Sequence, residues 1–307
     1  MLEKDYISKI KDEKIKETML PIFKFFEPYI DNGHDRKSKK YLEKNFIDEY
    51  SHGLKNNNIK QQISSLRKQV SQKESPLLDS FIRSLQKNTS DFISNDKYRN
   101  PDKLEKIEYS YLRLSRALPY IDGVEEVIKR QDINKKVLLS LSLVDEEHDR
   151  VKANKEVERI SQLMEGNSNY VVLPIHGCTK KLFKKIFEEI SQIDIIHIAG
   201  HAGGSNGNIM LEFVDGNMGF KGFYSATQHH QFSLAFLNCC FTFEFTNCSK
   251  MPNASACILH REAVQGDVAY NFVEYFFQVF SINEEIRTSW KFAIYNSNEN
   301  PRKYLLY

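Results

Sequence analysis

The fold turns on Ile193-Asp194-Ile195-Ile196-His197-Ile198-Ala199-Gly200-His201. A short, mostly apolar run bounded by glycine reads as a strand buried on both faces, the signature of a parallel sheet. A second such run, Phe232-Ser233-Leu234-Ala235-Phe236-Leu237-Asn238-Cys239, leads into Cys240. Each run ends on a reactive side chain where the chain leaves the sheet. In open α/β sheets the functional crevice lies outside the carboxyl ends of the strands. A histidine and a cysteine at two such ends, with Gly200, Gly203 and Gly204 beside the histidine, are the parts of a thiol nucleophile site.

Working outward, Val137–Val144 is an expected strand, followed by an amphipathic helix through Val151, Val157, Ile160 and Leu163. Tyr170–Ile175 is a second strand, and a helix through Leu182, Ile186 and Ile190 leads to the His201 strand. Strand and helix alternating at this spacing predict right-handed βαβ units and a parallel sheet. Downstream come a hairpin, Ile209–Phe213 turning at Asp215-Gly216, a short helix, and a polar stretch ending at His229-His230. A further strand, Ala254–His260, and helices over about 267–280 and 283–295 close the chain.

The first part is different. Only Gly33, Gly53 and Gly123 precede residue 130, and apolar residues recur at three- and four-residue spacing: Ile7, Ile10, Ile15 and Met19, then Ile63, Leu66 and Val70, then Leu77, Leu78, Phe81, Ile82 and Leu85. That is amphipathic helix periodicity. Asp102 is placed to cap a helix over about 104–118 that Pro119 stops. An all-helical domain over 1–132 and an α/β domain over 133–307 are therefore expected.

Composition narrows the function. The 307 residues carry a formal net charge of +2, too small to point to a nucleic-acid partner by itself. No apolar stretch approaches the roughly 20 residues of a bilayer span, so a cytoplasmic protein without membrane contact is expected. Five cysteines, Cys178, Cys239, Cys240, Cys248 and Cys257, are an odd number confined to the second half, which fits reduced thiols better than a disulfide framework. Those cysteines, with His229, His230 and His260, raise the question of zinc. No Cys-x-x-Cys pair occurs and adjacent cysteines on a strand face opposite ways, so neither metal nor cofactor is expected. The glycine-rich 203–207 segment lacks the Lys-Ser/Thr of a phosphate loop and reads as a mobile rim.

Each candidate has a blander reading. A free cysteine is usually a small buried hydrophobe, and Cys239, facing away from Cys240, is expected to be one. His197, inside its strand, reads as a hydrogen-bonded core histidine. His176, also at a strand end before a glycine, competes with His201. The glycines after His201, its more uniformly apolar strand and its nearness in sequence to the Cys240 strand favour His201.

The run Ile195–His201 followed by Phe236-Leu237-Asn238-Cys239-Cys240 resembles the clan CD cysteine peptidases, and within them the CHAT proteases, bacterial relatives of caspases and separase. The similarity extends through Cys257-Ile258-Leu259-His260-Arg261, Asp267, Ala269, Phe272, Tyr275-Phe276-Phe277 and Ala293, and covers about residues 135–297. It implies a caspase-like, mostly parallel sheet flanked by helices and a thiol protease acting on a protein or peptide substrate. Cys240 would be the nucleophile and His201 its proton-transfer partner, with backbone N–H groups of Ala202, Gly203 and Cys240 as the oxyanion hole. Ala202 stands where the family has glycine, and Cys239 where it has alanine or serine; Gly203 is expected to supply any positive φ one step later. Near the strand beside Cys240, Glu262 and Asp267 would favour a basic residue at the cleaved position and Arg261 an acidic one. Relatives carry attached regulatory domains, often in bacterial antiviral defence, which implies an activating ligand or protein partner at the helical part. The alternative is a catalytically inactive adaptor or ligand sensor on the same fold.

Overall fold

The computed structural model describes residues 10, 13–30, 58–72, 76–94, positions 107, 110, 111 and 114, then 135–144, 149–204, 208–246, 251–297 and 302–307. The chain divides into two compact units, Met1–Glu125 and Glu126–Tyr307.

In the first unit, α1 (Glu13–Ile30) packs on α2 (Asn58–Gln72), and α2 on α3 (Pro76–Ser94). The expected apolar stripes face inward: Ile15, Met19, Ile63, Leu66, Phe81, Ile82 and Leu85 are all buried. Positions 107, 110, 111 and 114 are helical, and Ile107, Tyr111 and Leu114 are buried at helical spacing. Ile7, Asp102 and Pro119 lie outside the described residues, as do Gly33, Gly53 and Gly123.

The second unit is an α/β domain with a six-stranded, mostly parallel sheet. In chain order it contains β1 (Lys136–Ser142), α4 (Ala153–Met164), β2 (Tyr170–Ile175), α5 (Lys180–Glu189) and β3 (Ile195–Ala199). Next come β4 (His201–Gly203), β5 (Met210–Phe213), β6 (Gly216–Gly219), α6 (Phe220–Thr227), β7 (Leu234–Asn238) and α7 (Thr242–Phe245). β8 (Cys257–His260), α8 (Gly266–Asn283), α9 (Ile286–Asn296) and β9 (Tyr304–Leu306) complete it. The sheet order is β2-β1-β3-β7-β8-β9, with β9 alone antiparallel, and β4-β5-β6 form a separate three-stranded sheet. The chain runs from β1 outward to β2, then crosses back to β3 on the other side of β1. With right-handed crossovers, that reversal puts α4 and α5 on opposite faces and leaves a crevice at the carboxyl ends of β1 and β3.

Local signals set the helices. The Asp149 carboxylate accepts the N–H groups of Ala153 and Asn154 at 2.7 and 2.9 Å, closing the first turn of α4. Thr179 caps α5 through the Leu182 N–H at 3.1 Å. One face of the sheet, with Leu138, Ile195, Leu234, Phe236 and Ile258, shares a core with Ile160 and Met164 of α4 and the aromatic ridge Phe272, Phe276, Phe277 and Phe280 of α8. Phe236 is its hinge-pin, meeting His197, Phe272, Phe276 and Phe277 ring to ring. Away from that core, Phe183 of α5 stacks on Phe223 of α6 and meets Phe213 of β5 edge-on.

The expected hairpin is the β5–β6 pair. Three elements go beyond the sequence reading: β4, α7 and the edge strand β9. Among the described residues, no helix is long and apolar enough to cross a membrane.

Candidate active site

β3 and β7 are hydrogen-bonded neighbours, parallel, with Ala199 opposite Asn238. His201 and Cys240 each lie two residues past those partners, so both leave the sheet at the same rim, on strands roughly 4.8 Å apart. His176 leaves from β2, three strand spacings from β7 (roughly 14 Å), and is buried. β3 and β7 thus end side by side, two residues short of His201 and Cys240, while the rival histidine leaves from a strand farther off.

Cys240 is partly exposed, while Cys239 is buried with its thiol directed at the Ile198 carbonyl, 3.8 Å away. Burial pushes the Cys239 thiol well above its ordinary range, and the charges of Glu156, Cys240 and Glu212 add to the effect. A thiol held protonated and enclosed is a poor nucleophile. The Cys240 sulfur instead meets the backbone of Val264, receiving its N–H at 3.5 Å and facing its carbonyl at 3.9 Å. Phe241, the next residue, has φ 57°. An aromatic residue in the left-handed region is held there against a cost of about 1–2 kcal/mol. That turn swings the chain from β7 into α7 and leaves Cys240 at the corner.

His201 opens β4, and its cross-strand partner is Glu212 of β5. Directly opposed residues share a face with Cβ atoms about 5 Å apart. The other face of this small sheet is packed, with Ala202, Leu211 and Met218 buried, so His201 and Glu212 stand on the open side. The Glu212 carboxylate lies over Gly203, its Oε1 3.4 Å from where a Cβ on that glycine would sit. Sequence reasoning missed Glu212. Treating His201–Gly203 as a strand paired with Met210–Phe213 would have found it. Neither Ala202 nor Gly203 has positive φ; the unusual values fall at Gly200 (156°) and Gly204 (158°). A Cβ on Gly200 would come within 2.9 Å of the Leu143 Cβ, so glycine lets the turn into His201 lie against β1.

The residues weighed for substrate preference sit around this rim without entering it. Arg261 lies over the Phe243 ring, 5.1 Å from its centroid, and the Glu262 carbonyl receives the Phe241 N–H. Asp267, in the first turn of α8, is ion-paired with Lys152. The residues that line the small cavity beside Cys240 include Glu156, Gly200, Asn238, His260, Val264 and Ala269 instead. It measures about 10 Å³, room for about one water.

Beneath the rim lies a buried polar chain. Asn238 donates to Glu156 at 2.7 Å and accepts from His260 Nε2 at 2.7 Å; His197 Nε2 is 3.4 Å from the same Glu156 oxygen, and its Nδ1 meets Ser140 Oγ at 3.0 Å. All five residues are buried. Burial pushes the Glu156 carboxyl well up and both imidazoles down to about 3, so the surroundings disfavour charge on each of the three. His197 is thus the hydrogen-bonded core histidine its position suggested. Cys178 and Cys257 are buried and form no disulfide, Cys248 is outside the described residues, and His230 bonds the Phe187 carbonyl at 3.0 Å. Among the described residues, no group of His, Cys, Asp and Glu is arranged to hold a metal.

No protein-family model matches the sequence, and no curated protein matches it.

The polar chain makes stability pH-dependent. An imidazole whose pKa falls on folding from 6.5 to about 3 stabilises the fold at neutral pH and loses that contribution as pH drops below 6.5. Glu156, raised on folding, works the other way and opposes His197; His260, bonded to a neutral amide, has no such counterweight. Urea unfolding is expected to show a loss of about 2 kcal/mol between about pH 7 and pH 5, largely removed in His260→Gln. An unchanged pH slope in that variant would contradict neutral burial of His260.

Proposed function

We propose that this chain is a cysteine endopeptidase working through a Cys240–His201 dyad. The single observation carrying the reading is the in-register parallel pairing of β3 with β7, whose last pair, Ala199 and Asn238, lies two residues before His201 and Cys240. The burial of Cys239, the aside position of His176 and the sharp turn at Phe241 support it. So does the family resemblance of the runs ending at His201 and Cys240.

In this mechanism His201 takes the Cys240 thiol proton and the sulfur attacks the scissile carbonyl carbon, forming a tetrahedral oxyanion that backbone N–H groups of Cys240 and the Ala202-Gly203 segment stabilise. Because a backbone N–H serves, alanine at 202 is no obstacle. The C–N bond breaks as His201 gives a proton to the departing amine, leaving a thioester. Water then attacks the thioester, His201 takes its proton, and the acid product leaves with the thiol restored. Glu212, opposite His201, is the side chain placed to orient the imidazole. The cavity beside Cys240, about 10 Å³, is too small for a substrate side chain as it stands. The helical unit is the enzyme's proposed restraint.

With a positional-scanning peptide library, Cys240→Ala is expected to abolish cleavage, and His201→Ala to lower it by about 100-fold or more, both with unchanged thermal unfolding. Retained turnover in Cys240→Ala would overturn the enzyme reading in favour of an inactive adaptor. Residues 133–307 alone should cleave faster than the full chain; equal rates would remove the helical unit's restraining role.

A further inference from the structure

Two stretches of backbone meet beside Cys240: residues 149–152, which lead into α4, and residues 261–267, which lead from β8 into α8. Val151 from the first, with Val264 and Gly266 from the second, line the cavity of about 10 Å³ next to the sulfur. The contact between them is tight. A Cβ on Gly266 would stand 2.8 Å from the Val151 Cα and 3.0 Å from its carbonyl carbon and oxygen. Gly266 is not among the residues with positive φ, so glycine is used here for close approach and not for a turn.

One residue further on in each stretch, Lys152 is ion-paired with Asp267, and its ammonium lies 5.8 Å from the centroid of the Tyr270 ring. The two side chains are 40% and 71% exposed, so water and salt reach the pair. Lys152 also has φ 61°, a left-handed conformation that costs any residue with a Cβ. Each feature has a plainer reading by itself. An acid in a helix's first turn suits the helix dipole, and an exposed ion pair contributes little to stability. Those readings leave unexplained why all of these ties fall beside one cavity, where the Val264 N–H meets the Cys240 sulfur at 3.5 Å. The flanks, by contrast, are firmly held. Asp149 caps α4 through two N–H groups, and the Arg261 N–H donates to the Lys303 carbonyl at 3.0 Å. A weak closure between two anchored stretches is one that modest binding energy undoes.

We propose that Val151-Lys152 and Gly266-Asp267 form a clasp that keeps the cavity beside Cys240 too small for a side chain, and that parting it moves Val264 off the sulfur. The inference rests on the reading of Cys240 as the nucleophile, and it concerns the α/β unit by itself. The test compares how fast iodoacetamide and the much bulkier N-(1-pyrenyl)maleimide modify Cys240 in the full chain, resolved by peptide mass spectrometry. Their rate ratio reports room around the sulfur, whatever the thiol's intrinsic reactivity. Asp267→Asn is expected to raise the relative rate of the bulky reagent by about threefold, and Gly266→Ala by about tenfold or more. Raising salt from about 20 to about 500 mM should raise it in the natural chain and leave Asp267→Asn unmoved. Lys184→Gln, which removes an exposed charge on α5, should change nothing. A ratio unaltered by Asp267→Asn and by salt would overturn the clasp, even if Gly266→Ala fails to fold. The same flat ratio, with the iodoacetamide rate still dependent on His201, would remove the clasp and leave the dyad standing. A raised ratio with no dependence on His201 would keep the clasp as a cover over the thiol and remove the dyad.

Discussion

The parallel hydrogen bonding of Ile195–Ala199 to Leu234–Asn238 is the constraint on which the candidate site depends. Side chains alternate along a strand, so a slip of one residue in β7 would exchange the places of Cys239 and Cys240. What pins the register is the core. Leu234 and Phe236 must enter the aromatic cluster under α8, and Phe236 stacks against Phe277 while meeting Phe272 and Phe276 edge-on. Once Phe236 is seated, Asn238 falls on the same face against Glu156, Cys239 turns to the other, and Cys240 arrives at the corner.

The same packing explains why a polar chain can lie so close to the core. Glu156, Asn238, His260, His197 and Ser140 occupy the carboxyl-end layer of four adjacent strands and of α4, where leaving one donor or acceptor unmade costs about 1–3 kcal/mol. The Asn238 amide serves two of them at once, donating to Glu156 and accepting from His260, while His197 bonds Ser140. They also brace the strand ends: α4 is tied to β7 through Glu156, and β7 to β8 through His260. Lys152, ion-paired to Asp267, joins the approach to α4 to the start of α8. The Val264 backbone that meets Cys240 sits just before that helix, so the sulfur's surroundings are set by the same layer.

Much of this was legible in the sequence because it rests on period and punctuation. The apolar runs at 137–144, 170–175, 193–200 and 232–239 contain the strands Lys136–Ser142, Tyr170–Ile175, Ile195–Ala199 and Leu234–Asn238, and the helical stripes between the first three pointed to their parallel sense. Strands that depend on partners rather than on their own pattern were not legible. His201-Ala202-Gly203 is too short and too rich in small residues to announce a strand, and it becomes one only because Met210–Phe213 lies beside it. Tyr304–Leu306 likewise gains its identity from pairing with β8. The carboxylates were hidden for the same reason. Glu156 looks like an ordinary helix residue and Glu212 an ordinary hairpin residue until tertiary contacts put one under Asn238 and the other opposite His201.

The most direct test of the central claim, that the Cys240 sulfur and the His201 imidazole work as a pair, is the rate at which each thiol is alkylated by iodoacetamide at neutral pH, resolved by peptide mass spectrometry. The account predicts that Cys240 reacts ahead of Cys178, Cys239 and Cys257, and that His201→Ala slows Cys240 alone by about tenfold or more. A Cys240 no more reactive than the buried cysteines, or indifferent to loss of the imidazole, would contradict it.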